Sequence, residues 1–207
     1  MLGLPKSTEC QQIIPKKVIY AKNELNTAAK AKLDADIKRV TIVNMVAPTN
    51  VAITAGENVK SFCVALVSLK QEKYDEKNIV LLTKLVKQNM LMILEYNGKA
   101  KLVAFHTKLL QTDWSDLDAL SVSLEGLNLD VIWENILIQI GNVELANGNT
   151  LAEQIKQDEE QQKILKQIEQ LEAQARRETN PRKKFELVQI IKELEKGNKV
   201  KREGETP

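Results

Sequence analysis

The sequence predicts an α+β (or α/β) fold, in which a mixed β-sheet with flanking helices is followed by a C-terminal α-helical coiled-coil hairpin. Apolar and β-branched runs of strand length dominate residues 38–112, and segments of helical periodicity interrupt them. Residues 150–196 contain no glycine and one aromatic residue, and they are rich in Gln, Glu and Lys. The chain therefore divides into a sheet-containing part and a helical part.

Five segments read as strands because they are apolar, β-branched or alternating, and because turn residues bound them. The segment Val59–Lys70 is almost wholly apolar in its middle, as expected of a strand buried on both faces. Asn97 and Gly98 favour the left-handed backbone of a type I′ hairpin turn. The predicted strands are, in chain order, 39–48, 50–54, 59–70, 89–96 and 99–107.

Three helices are predicted among these strands. Asn26–Ile37 carries apolar residues four positions apart and has Asn26 or Thr27 as its N-cap. Asp75–Lys87 begins with an aspartate cap, and Asp130–Ile140 is apolar on most of its surface. The order of elements is thus helix, three strands, helix, two strands, helix.

The helical part is predicted to fold back on itself. Ile164, Ile168, Leu171 and Ala175 follow the 4,3,4 spacing of a coiled-coil seam. A break is expected at 179–181, where an asparagine can cap and a proline suits the first position of a new helix. The predicted domains are a mixed α/β core over residues 1–145, an antiparallel helical hairpin over 146–199 and a disordered tail over 200–207.

The predicted arms differ in length, since residues 151–178 would span roughly 42 Å and residues 181–196 only about 24 Å. Leu151 and Ile155 then lie beyond the shorter arm. We expect them to contact the core domain or a partner chain. Burying two such side chains gives at most a few kcal/mol, so a homo-oligomer would be weak unless it also used the hairpin seam or a sheet edge.

A cluster of five cations marks the predicted tip of the hairpin. In one interpretation the cluster provides solubility and i,i+4 pairs with Glu178 and Glu186. In the other it contacts phosphate or an acidic partner surface. The five residues are Arg176, Arg177, Arg182, Lys183 and Lys184.

The order of elements is also that of restriction-endonuclease-like nucleases, which place a [D/E]-x-K pair at the end of the third strand. This chain has Ser68, Leu69 and Lys70 there, so the carboxylate is missing and Lys70 would be a remnant. The single histidine, His106, and two lone cysteines offer no metal site of known spacing. We therefore predict no catalytic residue, no metal and no cofactor.

Composition excludes further classes of function. The net charge is +2 and aromatic residues make up 4% of the chain, which indicates neither a basic nucleic-acid-binding domain nor a base-stacking platform. The longest apolar runs are strand-sized and predict no membrane span. Cys10 and Cys63 are expected to be free thiols in a reducing compartment, so the predicted location is the cytoplasm.

Six segments of the chain carry a family resemblance: "LPKSTE", "IPKKVIY", "IKRVTIVNMVAPTNVAI", "DEKNIVLLTKLVKQNMLMILEY", "TDW" and "LEGLNLDVIWENILIQI". Together they resemble family 4391 of the bacterial domains of unknown function, over nearly the whole chain. No activity comes with the resemblance, but such domains often lie beside type III-like restriction-modification and helicase genes. The resemblance implies that Leu4–Tyr20 belongs to the fold, and we expect it to run extended over the surface.

The leading hypothesis is a non-catalytic accessory or adaptor protein of a bacterial antiviral defence system. It would act through contacts with a larger helicase, nuclease or methyltransferase subunit. One alternative is a degenerate metal-dependent nuclease that uses Lys70, and another is a DNA-binding module that uses the basic hairpin tip.

Overall fold

A computed structural model describes residues 2–143 and 150–203 of the chain, with side chains as far as residue 196. The chain divides into two compact units, Met1–Val143 and Glu144–Pro207. The domain boundary predicted after residue 145 lies outside the described residues. The fold is α+β, as predicted, with a mixed sheet and two C-terminal helices that pack together.

The first unit is built on a seven-stranded sheet of order β1-β2-β3-β4-β5-β6, in which β7 also pairs with β5. Neighbouring strands are antiparallel except for β3 and β4, which are parallel and are joined through a helix. The strands are β1 (Glu9–Ile14), β2 (Ile37–Val46), β3 (Phe62–Leu69), β4 (Asn89–Tyr96), β5 (Lys99–Phe105), β6 (Leu109–Gln111) and β7 (Ser115–Asp116).

Helices cover both faces of this sheet. On one face, Ile19, Leu33 and Ile79 from the first three helices join a core cluster with alternate residues of the strands. On the other face, Trp133 of α4 contacts Phe62 of β3 with ring centroids 5.4 Å apart. The helices of this unit are α1 (Lys16–Lys22), α2 (Thr27–Asp36), α3 (Glu76–Thr83) and α4 (Leu129–Gly141).

The strands predicted most directly from the sequence are confirmed. Seven of the eight residues of β3 are buried, which agrees with its apolar sequence and its central place in the sheet. The β4–β5 hairpin turns at Asn97 and Gly98, whose φ values of 50° and 81° are the left-handed conformations expected there. Side-chain caps begin α2 at Asn26 and α3 at Asp75, although α3 ends at Thr83 rather than Lys87.

The strand predicted at 50–54 is wrong. The Asn50 side chain accepts a hydrogen bond from the Ala47 amide at 2.9 Å and donates one to the Met45 carbonyl at 2.6 Å. These bonds close a turn directly after β2, so the chain leaves the sheet there. Only Thr54 returns to an extended pairing, in an isolated bridge with Asn128.

The prediction for Leu4–Tyr20 is correct only in part. Glu9–Ile14 is extended, but it is strand β1, paired with β2, rather than a surface strap. Lys6–Thr8 forms a 3-10 turn, and α1 begins after Pro15, which is the N-cap. Ile19 of α1 is fully buried, so tertiary burial stabilises a helix of only seven residues.

The second unit contains α5 (Leu151–Arg177) and α6 (Pro181–Glu203), which pack against each other. Thr150 and Glu153 form a capping box at the start of α5. Asn180 caps α6 by accepting hydrogen bonds from the Arg182 and Lys183 amides, so the break predicted at 179–181 is confirmed. Among the described helices, none is long and apolar enough to cross a membrane.

The arms of this hairpin are closer in length than predicted. Helix α6 continues to Glu203, beyond the end expected at residue 199, and its 23 residues span about 35 Å. The 27 residues of α5 span about 40 Å. Residues 204–207, the rest of the predicted tail, lie outside the described residues.

Candidate functional site

Lys70, the predicted nuclease remnant, lies just past the end of β3, beside the end of α2. Its amide donates a 2.7 Å hydrogen bond to the Asp36 carbonyl. Ser68, two residues earlier, is almost fully buried. The described residues include no group of three or more His, Cys, Asp or Glu side chains that could hold a metal ion.

Asp36, whose carbonyl accepts this bond from Lys70, is a buried acidic residue with 5% of its surface exposed. One carboxylate oxygen accepts from the Gln71 amide group at 2.7 Å. The other accepts from the Asp75 backbone amide at 2.9 Å and from the Asn78 side chain at 2.7 Å. The carboxylate thus ties the end of α2 to the loop that follows β3 and to the start of α3.

These contacts indicate a structural role for the residues around Lys70, at the end of β3. A carboxylate whose lone pairs accept three protein donors is a structural anchor for the β3–α3 connection. The nuclease alternative stays a prediction. It requires that plasmid cleavage in Mg²⁺ or Mn²⁺ be detected and then lost in Lys70→Ala.

A second polar cluster surrounds Lys101 of β5, which is 8% exposed. Its ammonium lies 5.1 Å from the centre of the Tyr74 ring and 5.0 Å from that of Trp114. It donates a 2.8 Å hydrogen bond to the Gln111 side-chain oxygen, and the Gln111 amide group donates to Glu76 at 3.0 Å. Lys101 is therefore held by two aromatic rings and one neutral acceptor.

Burial and two carboxylates have opposite effects on the charged form of Lys101. Burial lowers the pKa of Lys101, and the negative charges of Glu76 and Asp113 act in the opposite direction. Burial together with the charge of Glu76 raises the pKa of Tyr74 to about 12. Tyr74 therefore keeps its proton at neutral pH. The hydrogen bonds from Lys101 to Gln111 and from Gln111 to Glu76 join β5, β6 and the start of α3.

A third cluster lies between α1 and α2 at the surface. Asp34 accepts a hydrogen bond from Lys16 at 2.6 Å and one from the Tyr20 hydroxyl at 2.6 Å. Both bonds favour the charged carboxylate and hold the pKa of Asp34 below its usual range. The hydrogen bond to Asp34, with burial and the charge of Asp34, raises the pKa of Tyr20 to about 12.

This geometry predicts an alkaline loss of stability that depends on Tyr20. Below about pH 10 the phenol is protonated in both the folded and the unfolded chain, and its contribution is fully present. As the pH rises towards about 12, the unfolded chain releases this proton first, so the free energy of unfolding falls. Tyr20→Phe should flatten this part of the stability curve in urea titrations. Parallel curves for the two proteins would contradict the assignment.

The hairpin of α5 and α6 buries a narrow set of apolar side chains. Ile168, Ala175 and Ile191 are buried, whereas Leu187 and Val188 are only half-buried. Among the hairpin side chains that the structure describes, three large apolar ones remain exposed. They are Leu165, Phe185 and Ile190, with exposed fractions of 44%, 64% and 44%.

The five predicted tip cations lie together around the break between the helices, and they differ in their pairing. Arg176 pairs with Glu172 at 3.1 Å, and Arg182 pairs with Glu186 at 3.5 Å. The expected pairing of Glu178 with a cation is replaced by a hydrogen bond from the Asn180 amide. Within the described part of the chain, no ion pair is present for Arg177, Lys183 or Lys184.

A groove of about 570 Å³ opens between the two helices close to this tip. Its lining combines the half-buried Leu187 and the exposed Ile190 with charged and amide side chains from both helices. The polar lining residues are Gln174, Arg177, Glu178, Lys183 and Glu186.

A comparison with known protein families finds one that matches this chain. Residues 2–197 match the family described as Domain of unknown function (DUF4391). The chain belongs to this family. No curated protein and no solved structure matches it. The match spans the sheet unit and most of the helical hairpin, so both are parts of the DUF4391 domain.

Two other predicted positions in this DUF4391 chain are Leu151 and Ile155, in the first turns of α5. Both side chains are buried, with 4% and 1% of their surface exposed. That they contact the core domain stays a prediction. The two cysteines are free, as expected, and burial raises the pKa of the Cys63 thiol to about 11.

Sequence reasoning found the tip cations but missed both buried polar clusters. Asp36 reads as the end of an amphipathic helix, and Lys101 occupies one position of an apolar strand, "KAKLVAF". The charge of Lys101 was the sequence signal that could have located the second cluster. Lys101 lies inside a run that is otherwise buried from Ala100 to Ala104, and such a lysine needs a polar partner.

Proposed function

We propose that this DUF4391 chain is a non-catalytic adaptor that docks on a larger protein through its C-terminal helical hairpin. The observation that carries the proposal is the exposure of Phe185, Leu165 and Ile190 on a unit in which the structure describes two helices, α5 and α6. Covering a large apolar side chain stabilises a complex by about 1.5–3 kcal/mol before the entropy of association is subtracted. An exposed aromatic residue beside cations is the composition typical of an interface anchor.

The partner we propose is a helicase, nuclease or methyltransferase subunit of a bacterial defence system in the cytoplasm. Support for this partner comes from the neighbouring genes that the family resemblance implies. Support for the docking element comes from the hairpin, which combines exposed apolar residues with five cations near its tip. A partner surface with an apolar depression and carboxylates would complement both.

Co-purification with the products of neighbouring genes tests the proposal. We expect the unmodified chain to retain one of these proteins at micromolar concentration and Phe185→Ser/Ile190→Ser to lose it. Leu127→Ser is the matched control, because Leu127 is 91% exposed but lies in the sheet unit. A chain that stays alone with every neighbour, or equal retention by the two variants, would reject the adaptor function.

A further inference from the structure

The lining of the groove at the hairpin tip is partly apolar and partly charged, and we call its two apolar residues the floor and its charged residues the rim. Leu187 and Ile190, three residues apart on α6, form the floor and point to the same side of the helix. Arg177 of α5 and Lys183 of α6 contribute cations from the two arms. A ligand in this groove would meet apolar surface and positive charge together.

The carboxylates of the rim are already engaged within the hairpin. Glu178 accepts a 2.9 Å hydrogen bond from the Asn180 amide, and Glu186 pairs with Arg182 at 3.5 Å. Arg177 and Lys183 make no ion pair with any residue that the structure describes. The charge left without a counterion at the groove is therefore positive.

We propose that this groove binds an amphipathic helix of the partner protein, with carboxylates that pair with Arg177 and Lys183. The apolar stripe of that helix would cover Leu187 and Ile190. The inference rests on the proposed adaptor function and specifies the chemistry of the partner segment.

A helix is the form of partner that suits this geometry. The groove lies between two packed helices, and a third helix can seat its ridge of side chains there, as in helical bundles. Helix-in-groove recognition uses apolar anchors spaced three or four residues apart, which is the spacing of the two floor residues.

The lining favours a protein segment over a nucleic acid. The floor offers an apolar surface that phosphate and sugar do not need, whereas the apolar stripe of an amphipathic helix would cover it. Phosphate binding would draw on all tip cations alike. Helix binding would depend on the two that line the groove, and this difference separates the two classes of ligand.

The test uses the full chain and a labelled synthetic helical peptide of about 18 residues, or five turns, with leucines along one face and glutamates beside them. Its companions are a scrambled peptide of the same composition, a peptide with lysines in place of the glutamates, and a DNA duplex. We expect fluorescence anisotropy to show binding of the acidic amphipathic peptide at least about tenfold tighter than of the other peptides. Equal affinity for the scrambled peptide, or no binding of any peptide, would overturn the proposal.

Variants locate the binding on the groove. Lys183→Glu and Leu187→Ser should each weaken binding of the acidic peptide about tenfold. Lys184→Glu carries the same charge change next to the groove without lining it, so its effect should stay within about twofold. Thermal melting checks that each variant is folded. Equal losses in Lys183→Glu and Lys184→Glu, with binding of the DNA duplex, would instead assign the tip to nucleic acid and overturn the proposal.

The adaptor function and the groove proposal can be rejected independently of each other. If a neighbouring gene product co-purifies and depends on Phe185 but not on Lys183 or Leu187, the adaptor function stands and the groove proposal is wrong. If the acidic peptide binds in the expected way but no neighbouring product co-purifies, the groove proposal stands and the adaptor function for those partners is wrong.

Discussion

Replacing Asp36 with alanine is expected to lower the free energy of unfolding by about 3–5 kcal/mol. The change removes the acceptor of three hydrogen bonds, from Gln71, the Asp75 amide and Asn78. Asn78 is 5% exposed, so its amide group loses its partner in a place that water reaches poorly. Urea unfolding followed by circular dichroism would measure the loss.

Asp34→Ala is the matched control for this prediction. Asp34 lies two residues earlier on α2 and carries the same charge, but 42% of its side chain is exposed. Its ion pair with Lys16 is a surface pair, so the expected loss is about 0–1 kcal/mol. If Asp36→Ala costs no more than Asp34→Ala, the buried carboxylate does not anchor the β3–α3 connection.

Lys101→Ala is expected to lower the free energy of unfolding by about 2–4 kcal/mol. The substitution removes the cation between the Tyr74 and Trp114 rings and leaves a cavity where the lysine stem packed. It also removes the 2.8 Å hydrogen bond to Gln111, which otherwise connects β6 to Glu76. Because Trp114 borders the cavity, its fluorescence spectrum should change as well.

Two variants separate the causes of this loss. Lys101→Met keeps most of the volume, so it should cost less than Lys101→Ala, and the difference reports the cavity. Lys99→Ala removes a lysine from the exposed end of the same strand and should stay within about 0.5 kcal/mol of the parent. Equal stability of Lys101→Ala and Lys99→Ala would show that the aromatic rings do not hold the ammonium.

The elements that the sequence predicted well are those in which local chemistry and tertiary packing agree. Asn97-Gly98 fixes its hairpin because both residues accept a positive φ at little cost. The apolar run of β3 suits a strand buried on both faces, and Asn180-Pro181 ends one helix and begins the next. The basic tip could be located for the same reason, because its cations flank a break that the sequence itself encodes.

Where the local preference of a segment differs from its tertiary packing, the sequence alone did not predict the observed element. "NVAIT" alternates like a strand, yet the Asn50 side chain closes a turn that takes it out of the sheet. Strand β1 contains two glutamines and a glutamate, and helix α1 has only seven residues. Their formation depends on pairing with β2 and on burial of Ile19, which are contacts with residues far along the chain.

The sequence by itself determined the α+β class, the central strands, the break in the helical hairpin and the membership of residues 2–197 in the DUF4391 family. Only the tertiary structure decided which charged residues are buried anchors and which are free to meet a partner. Asp36 and Lys183 are both single charges on helices, but one accepts three protein donors and the other lines an open groove. A charge acquires its role from the groups that surround it in space, and residues distant in the chain supply those groups.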